Sequence, residues 1–211
     1  MKRLVEGVGI NDADYVIKTQ IEHPRINGKR FRQLEWVCPF YQTWKNMLSR
    51  CYNIKYQKLN STYEGCSVCD EWLTFSNFKS WMEQQDWEGK CLDKDLLVYK
   101  NKRYSPDTCV FLDTRLNNFL IKCDKRRGET PLGVSKNRTR YTASCWKDNH
   151  KAQYEGSYAT PELAHRAWQK AKIKVAKDLV WTVDAKISLG IQRVIDKIQY
   201  DLDNNLITED F

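Results

Sequence analysis

The stretch Leu92 to Asn118, LDKDLLVYKNKRYSPDTCVFLDTRLNN, constrains the chain more than any other. An apolar run ends at Asp93 and Asp95, and a polar turn follows at Tyr99-Lys100-Asn101-Lys102. A second short apolar strand is predicted from Cys109 to Leu112 and a helix from near Asp113, which together make a β-hairpin leading into a helix. Two carboxylates at the end of one strand, faced by Asn117 on the helix, form the kind of oxygen-rich pocket that holds a hard divalent cation. Such an ion positions a phosphodiester and stabilises the charge that builds on it during hydrolysis. The plainer alternative makes Asp93, Lys94 and Asp95 a solvated turn and Asn117 a helix surface residue.

With 211 residues the chain has room for two small domains, each able to bury a core. Its apolar runs fall short of the roughly 18 residues that suggest a membrane span, and MKRLVEGVG lacks the apolar segment of a signal peptide. The expectation is therefore a protein of the cytoplasm, with no membrane partner. Eight cysteines fit a reducing compartment, where thiols are buried or metal-bound rather than paired. The formal charge of +8 points to a polyanionic partner, and its distribution is uneven. Lys122 to Lys177 holds 14 Lys and Arg against 5 Asp and Glu, a net +9, whereas the remainder holds 21 against 22, a net −1.

Residues 1–37 read as an arm with a strand, turns and an Asn27-Gly28 corner, suited to docking and assembly. From Pro39, the spacing of Tyr41, Trp44, Leu48 and Cys51 predicts a helix with one buried face. In YEGCSVCDEWLTFSNFKSWM, Thr74 is placed to cap a helix that buries Phe75, Phe78, Trp81 and Met82. Cys66 and Cys69 form a CxxC; with Cys51 and Cys109 they would make a four-thiolate structural Zn²⁺ site, with Cys38 as another possible partner. Their alternative role is that of small buried apolar residues.

The blocks CPFYQTWKNMLSRCY, YEGCSVCDEW, LDKDLL and YSPDTCVFLDTRLNN together resemble the ββα-metal (HNH) nuclease signature, and in particular a group of phage-encoded, homing-like HNH endonucleases. The resemblance covers Cys38 to about Leu120. Asp93 stands where that signature has its metal-binding Asp, Asn117 where it has its helix Asn, Lys94 where it has the general-base His, and Thr108 where it has a middle Asn. It implies a DNA endonuclease in which Asp93 and Asn117 hold Mg²⁺ or Mn²⁺, Asp95 assists and Lys94 contacts the scissile phosphate. As a base, Lys94 would need its pKa lowered by roughly three units, about 4 kcal/mol, against carboxylates that push it up.

A charged linker, Lys122 to Pro131, marks the expected boundary. Beyond it, alternating segments at Thr139–Trp146 and Lys151–Tyr158 flank an Asp148-Asn149 turn, and Thr160 and Pro161 open a helix lined by Leu163, Ala167, Trp168, Ala171 and Val175. The segment from Gly133 to Ala176, with Gly156-Ser157-Tyr158-Ala159-Thr160-Pro161-Glu162 leading to Ala167-Trp168, resembles the APETALA-type DNA-binding domain. That resemblance implies a three-stranded sheet lying in the major groove of double-stranded DNA. The side chains expected on its exposed face are Lys136, Arg138, Arg140, Ser144, Trp146, Lys147 and Lys151. Arg pairs with guanine edges, while Lys and Ser more often hold phosphates. A last helical stripe, Ile187, Ile191, Val194, Ile195, Ile198 and Leu202, packs on the body or on a second copy to form a homodimer.

The expected fold class is α+β: an N-terminal ββα-metal nuclease-like domain plus a C-terminal three-stranded sheet packed on one helix. The expected divisions are an arm (1–37), a nuclease-like domain (38–121), a linker (122–131), a DNA-binding domain (132–180) and a C-terminal helix with an acidic tail (181–211). The rival reading is a catalytically silent DNA-binding or protein-interaction protein on the same scaffold.

Overall fold

The computed structural model describes residues 4–26, 29–121, 128–146 and 152–211, and shows a mixed α+β chain with small separate sheets. The Asn27-Gly28 and Asp148-Asn149 turns and most of the expected linker lie outside the described residues. The chain forms two compact units that alternate along the sequence. One comprises Met1–Glu88 and Lys100–Phe111, the other Gly89–Tyr99 and Leu112–Phe211. This division differs from a single boundary after residue 121, because the segment carrying Asp93 and Asp95 packs with the C-terminal helices.

The first unit opens with a hairpin, β1 (Lys18–Ile26) and β2 (Lys29–Val37), antiparallel with register breaks at Thr19/Gln20 and His23/Ile26. Helix α1 (Pro39–Tyr52) starts with proline at its first position and buries Trp44, Met47, Leu48 and Cys51. Tyr41 lies edge-on to Phe75, with ring centroids 5.5 Å apart. A short helix α2 (Ile54–Leu59) follows, capped by Asn53. Helix α3 (Phe75–Met82) packs on α1 and buries Phe75, Phe78 and Met82. Thr74 stands at its N-cap but makes no side-chain capping bond. Asp12 supplies one instead, accepting from the Ser76 backbone N–H at 2.9 Å and from its hydroxyl at 2.6 Å. The Trp44 indole donates to the Trp72 carbonyl at 2.6 Å, which satisfies a polar atom inside an aromatic core. Short parallel strands β3 (Ser67–Val68) and β5 (Arg103–Tyr104) complete this unit.

The second unit contains β4 (Cys91–Asp93) and α4 (Thr114–Leu120), which are in contact. Strand β6 (Val110–Leu112) runs directly into the α4 cap, where Asp113 accepts from the Leu116 N–H at 2.7 Å. Downstream, β7 (Val134–Asn137), β8 (Arg140–Trp146) and β9 (Ala152–Tyr158) form an antiparallel sheet in the order β7-β8-β9. One face packs on α5 (Pro161–Val180) around Val134, Ala143 and Ala164, with Tyr141, Tyr158 and Ala167 at the margin. Thr160 caps α5, accepting from the Leu163 N–H at 3.3 Å, and Pro161 opens it. Gly133 explains how the sheet begins. Its φ of +73° is left-handed, and a Cβ there would sit 1.8 Å from Trp168 Cδ1, so the indole of α5 lies directly on the glycine.

Helix α6 (Ala185–Asp203), capped by Asp184, buries Ile187, Ile191, Val194, Ile195 and Ile198 and packs on α5. Its apolar stripe packs on the body of the chain, the first of the two placements expected for it. The three-stranded sheet thus packs on one helix, α5, as expected, and α6 packs on α5. Chain 206–211 closes over α5. The buried His165 has Nδ1 2.9 Å from the Leu132 carbonyl, and its Nε2 accepts from the Thr208 N–H at 2.9 Å. Gln169 donates to the Leu206 carbonyl and the Thr208 hydroxyl. Lys172, also buried, donates to the Phe119 carbonyl and lies 3.7 Å from the Phe119 ring centroid, tying α4 to α5.

Candidate active site and nucleic-acid interface

Asp93, Lys94, Asp95 and Asn117 all belong to the second unit. Asp93 ends β4 and folds the chain back on itself: its Oδ1 accepts from the backbone N–H of Asp95 at 2.9 Å and of Leu96 at 2.8 Å. Burial pushes its carboxyl above the ordinary value of 3.8, and neighbouring Asp95 adds to the rise, while the two backbone donors and Lys94 oppose it. Lys94 points inward. Its side chain is 6% exposed and its Nζ is 2.5 Å from Asp95 Oδ1, whereas the Asp95 side chain is 58% exposed. The plain reading of a solvated turn does not describe Lys94.

One contributor was invisible in the local sequence. Arg193 of α6 donates through Nε and Nη2 to the Leu96 carbonyl, at 3.3 and 3.1 Å, and through Nη2 to the Asp95 carbonyl at 3.3 Å. It also stands 5.6 Å from the Tyr99 ring centroid. Burial lowers the Arg193 pKa; Tyr99, Asp95 and Asp93 act in the opposite direction. The approach is close because residue 190 is glycine: a Cβ there would be 2.6 Å from Leu96 Cγ and 3.0 Å from the Leu96 carbonyl oxygen. Two carboxylates are thus matched by two cations, Lys94 and Arg193.

Asp93, Asp95 and Asn117 offer hard oxygen donors, and Mg²⁺ is commonly held by one or two carboxylates, with water and substrate phosphate filling its other positions. That donor chemistry fits a divalent cation, provided Asp95 exchanges its Lys94 partner. Among the described residues, no group of three or more His, Cys, Asp or Glu side chains is assembled to hold a metal. Cys51, Cys66, Cys69 and Cys109 are all buried in the first unit, and burial raises the Cys69 thiol above its ordinary value. Cys38 lies 3.6 Å from the Tyr15 hydroxyl. Among the described residues these thiols are not drawn together as a metal-binding group, and their burial suits core thiols and structural zinc ligands alike. Spacing along the chain fixes neither which thiols converge nor which way they face.

The sheet's other face carries the reader candidates. Because Val134 and Ala143 are partners facing α5, alternation turns Arg140, Thr142, Ser144 and Trp146 of β8 outward. Across the ladder, Ser157 partners Thr142 and Tyr154 partners Ser144, so this face is a band of hydroxyls and aromatic rings with Arg140 among them. Arg140 is anchored, donating from Nε to the Ser157 hydroxyl at 3.1 Å and from Nη2 to the Ser157 carbonyl at 2.8 Å. Tyr154, an aromatic interleaved with the basic residues in the sequence, is 62% exposed there. Arg138 holds the β7–β8 turn at a left-handed φ of +53°. Lys136 is a correction: it partners Tyr141 and so lies on the helix side of the sheet, exposed at its edge. Lys147 and Lys151 lie outside the described residues. On α5, Arg166, Lys170, Lys174 and Lys177 recur at four- and three-residue steps, so part of the basic excess runs along a helix rather than on the sheet.

No protein-family model, curated protein or solved structure matches the chain.

Proposed function

We propose that the protein is a divalent-metal-dependent DNA endonuclease of the HNH kind, directed to duplex DNA by its C-terminal sheet. The observation that carries the reading is that the Asp93–Asp95 turn, the Asn117 helix and the outward sheet face fold within one compact unit. A reader and a cutter built on one body address a phosphodiester at a fixed offset from the bases being read. Arg140, held by Ser157, is pre-ordered to meet a base edge or phosphate, and Trp146 and Tyr154 supply contact area beside it. Asp93 and Asn117 would hold Mg²⁺ or Mn²⁺, with Asp95 assisting, and such an ion would supply polarisation of the phosphodiester and activation of a water. Lys94, whose Nζ pairs with Asp95, would serve as a donor to the scissile phosphate.

A second reading has one observation in its favour. The match of Asp93 and Asp95 with Lys94 and Arg193 leaves the turn close to neutral, as in a catalytically silent DNA-binding protein. Incubation of purified protein with supercoiled plasmid separates the two. Nicking or linearisation that requires Mg²⁺ or Mn²⁺ and disappears in Asp93→Ala supports the enzyme. DNA binding without cleavage under any divalent ion establishes the silent reader.

A further inference from the structure

The β1–β2 hairpin is a two-stranded ribbon. Its strands are nine residues each, about 30 Å long at 3.3 Å per residue, and none of its described side chains is buried. An isolated two-stranded hairpin is marginal in water and needs something to cover it. This one exposes Ile21, Phe31, Leu34 and Trp36, each roughly half accessible to solvent. What organises it is internal: His23 Nε2 lies 3.1 Å from Gln33 Oε1, His23 stacks obliquely on Phe31, and Arg32 bonds Glu22 at 2.8 Å.

The distribution of these groups selects among possible covers. In register, Gln20 and Leu34 share a face with the Glu22–Arg32 pair, while Ile21 and Gln33 share the other with His23 and Phe31. Each face interleaves apolar and polar groups, which is unlike the contiguous apolar surface that joins two copies of a chain. Over Lys18–Val37 there are five Lys and Arg against two acids, a net +3. Two such ribbons repel each other, and each attracts a polyanion. The major groove of B-DNA, about 12 Å wide, admits a two-stranded β-ribbon.

We propose that this hairpin is a second DNA-contacting element, a basic ribbon that lies in or along a groove of duplex DNA independently of the C-terminal sheet. Lys18, Arg25 and Arg32 neutralise phosphates, and Phe31 and Trp36 cover sugar and base edges. The proposal concerns a surface in the first unit. It survives if the Asp93 site proves silent, and it is separable from the reading of the sheet.

The test uses the full chain with the triple variant Lys18→Gln, Arg25→Gln, Arg32→Gln, beside Arg140→Gln, and a random-sequence 30-base-pair duplex as probe. Binding is followed by fluorescence anisotropy from about 50 to 200 mM salt, with sedimentation and a melting curve as controls on mass and fold. Loss of three phosphate contacts lowers the slope of log K against log salt by about 2 to 3 and weakens binding at least about tenfold at the lower salt. That result in the hairpin variant supports the ribbon, whatever Arg140→Gln does. Unchanged affinity and slope overturn it, and if Arg140→Gln alone weakens binding, the sheet is the DNA surface by itself. A change in mass from dimer to monomer with DNA binding intact also overturns it, and assigns the ribbon to a second copy.

Discussion

Replacement of Asp93 separates the structural work of its side chain from the chemical work. Its Oδ1 receives two backbone N–H bonds, from Asp95 and Leu96, and its carboxyl titrates above the ordinary range because burial disfavours the charge. Asp93→Ala removes the acceptor and leaves both N–H groups to find water, so it should cost about 1–3 kcal/mol. Asp93→Asn keeps an oxygen in place and removes the buried charge, so at neutral pH it should be at least as stable as the natural protein. The pH dependence follows from the sign of the shift. A carboxyl whose folded pKa is raised favours the fold while protonated, and the penalty grows as pH climbs from the unfolded value near 3.8 through the folded one. The relative advantage of Asn should therefore be greatest at neutral pH and vanish toward pH 3. Urea unfolding followed by tryptophan fluorescence reads both effects, while under the endonuclease reading the plasmid assay reads the loss of cleavage that either variant should suffer. If Asp93→Asn proves as destabilised as Asp93→Ala at pH 7, the attraction of Lys94 and Arg193 for the charge outweighs its burial, and the reasoning fails.

Gly133→Ala should unfold the C-terminal sheet more readily than any exposed substitution, by about 3 kcal/mol or more, since the new Cβ would meet the Trp168 ring at 1.8 Å on a left-handed backbone; a melting curve should fall accordingly. Arg193→Gln removes one of the two cations beside Asp93 and Asp95, so Mn²⁺ affinity measured by calorimetry should rise about tenfold, whereas Arg193→Lys should hold it near the natural value. Under the endonuclease reading, Lys94→His supplies a general base, a group that typically contributes 10²- to 10⁴-fold, so plasmid cleavage should accelerate; a slower variant would assign Lys94 to phosphate contact instead. If Cys51, Cys66, Cys69 and Cys109 are core thiols, chelation should leave the melting temperature unchanged and elemental analysis should find well under one zinc per chain.

Local codes in the sequence specified much of the fold. The proline-led start of α1, the Asp113 cap of α4, the Thr160-Pro161 opening of α5 and the apolar stripe of α6 depend on residues within a turn or two of one another, and propensity and period suffice to read them. The alternation in β8 likewise placed Arg140, Ser144 and Trp146 on one face. Lys136 was misjudged because its side is set by register with Tyr141 across the ladder, and a one-residue difference in pairing turns a side chain to the other face. Long-range packing decided the rest. Asp12 caps a helix 64 residues away, and Arg193 reaches the Leu96 carbonyl across 97 residues, a pairing no local pattern encodes. Burial of His165 and Lys172 came from the same source, because a polar side chain enters a core only where backbone partners, here 33 and 53 residues away, are already waiting for it.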